Sequence, residues 1–168
     1  DIDRKSIELF NLFRRKDLNI NLAVSSIKGE LEYINFHEKS PINMIKTSKN
    51  ESSHSAEKIE KIKSDTLNSI IEKSPYRDKK IDFVSIDVEG HEIEVIKGFN
   101  LKKYRPSIIV IEYLDMSLGK IEIKNFNLEN IINSEIYKLM IENEYHMVNW
   151  LHSDLIFAHN SFRETKYD

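Results

Sequence analysis

The stretch IDFVSIDVEGHEIEVIKGFN, residues 81–100, decides the fold. Ile81, Phe83, Val84, Ile86 and Val88 form an apolar run that predicts a buried strand over 81–87. A helix over 90–97 follows, with Gly98 as its C-terminal cap. Between the two, Asp87, Glu89, His91 and Glu92 fall within six positions. Burying carboxylates without partners is costly, so a core strand that ends in acids calls for a reason. In open α/β sheets, ligands bind outside the carboxyl ends of the strands, and Asp87 stands at such an end. The start of the helix carries positive potential, which favours ionised Glu89 and Glu92 and holds His91 toward its neutral form. A neutral imidazole beside carboxylates can accept a proton from a hydroxyl. Gly90 removes a Cβ where the backbone turns sharply or approaches a ligand. Helix capping alone is the competing reading; it accounts for Glu92 and Glu94 but leaves the strand-end acid unexplained.

Working outward, PSIIVIEYL (106–114) is nearly continuously apolar, as strands buried on both faces are. Glu112, near its end, is a further candidate for binding an acceptor molecule. Residues 128–142 place Leu128, Ile131, Ile132, Ile136, Leu139 and Met140 on one face of a single amphipathic helix. The run YHMVNWLHSDLIFAH (145–159) predicts a closing hairpin about His152-Ser153-Asp154. Trp150 and Tyr145 read as packing groups within it. Upstream, the spacing of Ile7, Phe10 and Leu12 or Phe13 predicts a helix over 5–15. LNINLAVSS (18–26) and ELEYINF (30–36) read as strands about a turn at Lys28-Gly29. The polar segment 39–60 predicts a mobile surface loop, and SDTLNSIIEKSP a short helix capped by Ser or Asp and ended near Pro75. This alternation predicts one domain over 1–168: a doubly wound α/β sheet with a late antiparallel edge.

Composition narrows the class. The chain has 168 residues and a formal charge of -3, with lysines and acids interspersed, which argues against a nucleic-acid or membrane surface as the main partner. It has no cysteine, so thiolate metal sites and disulfides are excluded. No apolar run approaches the roughly 18 residues of a membrane span, and no signal-peptide core is present. A cytoplasmic location is the expectation. Histidines 37, 54, 146, 152 and 159 are scattered without ligand spacing.

The order of a strand, Asp-Val-Glu-Gly-His-Glu (87–92), a helix, Gly98, Arg105-Pro106 and an apolar strand ending in Glu112 resembles the signature of the FkbM-type methyltransferases. These are S-adenosylmethionine-dependent O-methyltransferases. DIDRKSIELFNLFRRKDLNINLAVSS (1–26) and SDTLNSII (64–71) are similar in placement to family segments, and the resemblance runs from residue 1 to about 158. It implies a class I, Rossmann-like domain that methylates a hydroxyl, often on a sugar, glycan or polyketide-like small molecule. It implies Asp3, or else Asp1, as the acid that grips the ribose hydroxyls of S-adenosylmethionine, because a carboxylate accepts two hydrogen bonds from a vicinal diol. Ser25 would lie near the adenine, and Asp87 near the cofactor. His91 becomes the general base, oriented by Asp87 or Glu89. A divalent cation held by Asp87, Glu89 and His91 is the competing role for the same residues. The family's first strand and glycine-rich loop have no counterpart, since glycines 29, 90, 98 and 119 cannot form that loop. An N-terminally truncated domain is therefore expected. The alternative is a non-catalytic binding module that lacks the cofactor loop.

Overall fold

The structure is a computed structural model and describes residues 1–36, 42–47, 58–113 and 127–164. In chain order the elements are α1 (Arg4–Phe13), β1 (Ala23–Val24), β2 (Gly29–Asn35), β3 (Met44–Ile45) and β4 (Lys58–Asp65). Then come α2 (Leu67–Lys73), β5 (Phe83–Ile86), α3 (Glu92–Lys97), α4 (Leu101–Tyr104) and β6 (Ile108–Glu112). The chain closes with α5 (Leu128–Asn133), α6 (Glu135–Glu142), β7 (Tyr145–Leu151), β8 (Asp154–His159) and α7 (Asn160–Glu164).

The fold is mixed α/β, with the strands in two four-stranded sheets rather than one doubly wound sheet. The first has the order β1-β4-β2-β3 and the second β5-β6-β8-β7. In the second, β5 and β6 are parallel, with Val84 opposite Ile109 and Ile86 opposite Ile111. The expected antiparallel edge is present: β8 pairs with β6 and β7 with β8. Alternation places Ile86, Ile109, Ile111, Leu155 and Phe157 on one buried face, against Val95 and Ile96 of α3 and Ile131, Ile136 and Met140 of α5 and α6. Tyr145 is fully buried with its hydroxyl donating to the Pro106 carbonyl at 2.8 Å, which satisfies the one polar atom it carries inside. A smaller core of Ala23, Tyr33 and Ile45 lies in the first sheet.

Three sequence expectations are corrected. The strand expected over 18–26 contracts to Ala23–Val24. Before it, the Leu22 N–H donates to the Asp1 carbonyl and the Ile20 carbonyl accepts from the Asp1 ammonium. The Asn21 amide donates to the carbonyls of Asp1 and Ile2 and the Asn19 amide to Asn11 and Arg14, so 19–22 runs beside the first residues of the chain rather than in the four-stranded ladder. The helix expected over 128–142 is two helices. Ser134 is extended at ψ 152, its hydroxyl donates to the Ile131 carbonyl, and the same oxygen caps α6 by accepting from the Tyr137 N–H. The polar segment 39–60 holds β3 and the first residues of β4, while residues 39–41 and 48–57 lie outside the described residues. β4 is central in its sheet, yet its isoleucines, Ile59 and Ile62, are three apart and so fail the two-residue alternation of a strand. α2 is capped by Thr66, whose hydroxyl oxygen accepts from the Ser69 N–H. Among the described residues, no helix is long and apolar enough to cross a membrane.

The two sheets meet along a seam between the end of β1 and α3. The Ser25 N–H donates to the Asp65 carbonyl, and the Ser26 hydroxyl donates to Glu94 on α3. Gly98 sits so close to this turn that a Cβ there would lie 2.2 Å from the Ser25 carbonyl oxygen. The Asn68 N–H also reaches the Gly98 carbonyl at 3.3 Å. A residue without a side chain is what lets the seam close.

Candidate functional site

The loop between β5 and α3 is built by its own acids. Glu89 (φ 53) and Gly90 (φ 91) are consecutive left-handed residues, which reverse the chain within two positions. Glu92 is buried, and one carboxylate oxygen accepts from the Val88 N–H at 3.2 Å and the Gly90 N–H at 3.0 Å. Glu92 therefore clamps the loop that carries Asp87 and Glu89. Burial pushes its carboxyl above the usual range against the pull of those N–H groups.

This loop forms one wall of a pocket of about 440 Å³. Asp87, Glu89 and His91 line it from the loop after β5, Asp1 from the residues before α1, and Ser6 from α1 itself. Ile2, Leu22, Val24, Ile45 and Val88 supply its apolar surface. The volume falls within the roughly 300–1,000 Å³ of small-molecule sites. A larger cleft of about 760 Å³ runs from residues 14–20 to Phe83 at the opposite end of β5. Its acids are already matched: Asp17 to Arg14 at 2.6 Å and Asp82 to Lys80 at 3.0 Å. In the smaller pocket Asp87 and Glu89 meet with no cationic side chain paired to them among the described residues.

Burial and the neighbouring Asp87 raise the Glu89 carboxyl above its ordinary value. Asp87, Glu89 and Glu112 each place a carboxylate oxygen within 4.8 Å of the other two. Glu112 has a buried oxygen, Oε2, without a hydrogen-bond partner among the described residues. Desolvation first, then the charges of Asp87, Glu89 and Glu92, push its carboxyl up to about 8. Protonation gives Glu112 a hydrogen to donate to the neighbouring Asp87 carboxylate.

His91 is buried, and its Nε2 lies 3.0 Å from the Ser25 hydroxyl. It begins α3 without capping it by its side chain. Burial lowers its pKa, against the opposing charge of Glu94. The structure thus brings Asp87, Glu89 and His91 to one pocket, as the sequence order implies. His91, however, is oriented by Ser25 rather than by Asp87 or Glu89, and the acids converge with Glu112 rather than with His91. Ser25 itself is buried and does not line the pocket. Of the two N-terminal acids, Asp1 lines the pocket, while Asp3 is buried and caps α1, accepting from the N–H groups of Lys5 at 2.7 Å and Ser6 at 3.3 Å. Sequence reading missed the clamp formed by Glu92 and the tie between Ser25 and His91. The first was hidden by its resemblance to ordinary capping. The second joins residues 66 positions apart, for which no local pattern exists.

A family model described as the methyltransferase FkbM domain matches residues 5–152. The chain belongs to the FkbM methyltransferase family. No curated protein and no solved structure matches it. The matched span contains Ser25, Asp87, Glu89, His91 and Glu112 and leaves Asp1 and Asp3 outside.

Proposed function

We propose that this FkbM-family chain transfers a methyl group from S-adenosylmethionine to a hydroxyl of a sugar, a glycan or a related small molecule, within the pocket of about 440 Å³. The observation that carries the reading is the meeting of Asp87, Glu89 and His91 at that pocket, on a loop that Glu92 holds in shape. The donor set suits the cofactor, whose sulfonium and ammonium groups are cations. Asp87 and Glu89 complement that charge, the apolar wall of Ile2, Leu22, Val24 and Ile45 suits a flat base, and Asp1 suits a vicinal diol. When bound, S-adenosylmethionine supplies an electrophilic methyl group. The chain aligns the acceptor oxygen, an effect worth roughly 7–11 kcal/mol in well-oriented reactions. It also takes the hydroxyl proton, worth about 10²–10⁴-fold. The pocket extends the Rossmann-like reading of the resemblance, with ligand and acids outside the carboxyl end of β5.

The test is transfer of labelled methyl from S-adenosylmethionine to a panel of mono- and oligosaccharides. Label is expected in a hydroxyl-bearing acceptor, with Glu89→Gln lowering the rate by about 10²-fold or more. A folded protein that binds S-adenosylhomocysteine or a glycan without transferring label would favour the non-catalytic module instead.

The buried unpaired oxygen of Glu112 favours one second reading: a divalent cation held by Asp87, Glu89 and Glu112, hard oxygen ligands that suit Mg²⁺ or Mn²⁺. Activity abolished by a chelator and restored by Mg²⁺ would select it.

A further inference from the structure

Ser25 is 2% exposed and His91 8%, so the bond between them is made away from solvent. Among the described residues, the Ser25 hydroxyl has no partner other than His91 Nε2, and the imidazole has none at Nδ1. A hydroxyl carries one hydrogen that must be donated, and a neutral imidazole has one nitrogen that donates and one that accepts. Were Nε2 protonated, it would donate to the Ser25 oxygen and the hydroxyl hydrogen would be left buried with no acceptor. With Nε2 unprotonated, the hydroxyl donates to it and both groups are satisfied. Burial without a partner is the costlier state, so the second arrangement holds.

We propose that Ser25 is a positioning residue that fixes His91 in the tautomer protonated at Nδ1, so that His91 presents an N–H donor to the pocket. The ring then binds an oxygen of the bound molecule (a carbonyl, hydroxyl or carboxylate) and does not take its proton. That step falls to the carboxylates of Asp87 and Glu89, which line the same pocket. The assignment to the methyl acceptor rests on the function proposed above; the tautomer does not. The seam explains why Ser25 is fit for this: its backbone is held from one side by Asp65 and pressed from the other by Gly98, so the hydroxyl has a fixed origin.

The experiment is long-range proton–nitrogen correlation on the ¹⁵N-labelled chain at a pH where imidazole is neutral, with the His91 signals assigned by their loss in His91→Gln. In the wild-type protein the Nε2 resonance is expected at the unprotonated end of the imidazole range and Nδ1 at the protonated end. Ser25→Thr keeps the hydroxyl and is expected to keep this pattern. Ser25→Val has the shape of that threonine without the hydroxyl and is expected to shift both resonances toward the Nε2-protonated form. A wild-type spectrum with Nε2 protonated, or a Ser25→Val spectrum identical to wild type, would overturn the proposal. Should Ser25→Val fail to fold, the wild-type spectrum alone decides. No cofactor or acceptor is present in this measurement, so a lack of methyltransferase activity would leave its outcome standing.

Discussion

Glu112 is where burial and charge act most strongly on one residue. Its carboxyl is raised from 4.5 to about 8 by desolvation and by the charges of Asp87, Glu89 and Glu92. An acid whose folded value lies above its unfolded value binds more protons in the folded state between the two. Its contribution to stability is full below about pH 4.5 and is lost as pH rises through about 8. Glu112→Gln keeps the shape and removes the titration. The difference in unfolding free energy between wild type and Glu112→Gln is therefore expected to shift in favour of the variant from about pH 5 to pH 8, measured by denaturant titration at a series of pH values. A difference that stays flat would mean that Glu112 titrates normally. At Gly90 the backbone itself sets the requirement: at φ 91 a side chain is strained whatever space surrounds it. Gly90→Ala is expected to cost about 1–2 kcal/mol in the same assay. Legibility at this scale followed locality. Asp87, Glu89 and His91 stood out because acids at a strand end have no structural use, and all three meet the pocket. The environment of Glu112 did not show, because the charges around it are three carboxylates brought in from another strand end.

Elements were readable where one pattern dominated. β5, β6 and the β7–β8 hairpin follow from apolar runs and turn residues, and the order of parallel pair then antiparallel pair follows from them. The break between α5 and α6 was concealed by an apolar face that continues in phase through both helices. Ser134 decides it, bonding back to Ile131 and forward to the Tyr137 N–H. Ser134→Ala removes both bonds and is expected to cost about 1 kcal/mol, read from the unfolding midpoint in urea. An unchanged midpoint would show that packing of Ile131, Ile136 and Met140 alone holds the helix pair. β4 was illegible for a different reason. Its lysines and glutamates face cross-strand partners, as Lys61 does Glu30 at 3.1 Å, so a strand central to its sheet carries the composition of a solvated loop.

At the largest scale the described residues form two sheets that meet at a seam, and the pocket opens beside it. At the seam Val24 of β1 and Leu67 and Ile71 of α2 pack against the core of the second sheet, beside the polar ties of Ser25, Ser26 and Glu94 and the bare Cα of Gly98. Gly98→Ala would drive a methyl group into the Ser25 carbonyl and is expected to destabilise the fold by about 1–3 kcal/mol. The same change pushes Ser25 from His91, so ligand affinity is expected to fall with it. Sequence order could not reveal this arrangement, because the seam joins residues 25 and 26 to residues 91–98 across both sheets. The central claim is that this pocket takes the methyl donor, and calorimetric titration with S-adenosylhomocysteine tests it most directly. Binding at micromolar concentration that weakens by about tenfold or more in Asp87→Asn is the predicted result. A folded wild-type protein that gives no heat, or an Asp87→Asn variant that binds as well as wild type, would contradict it.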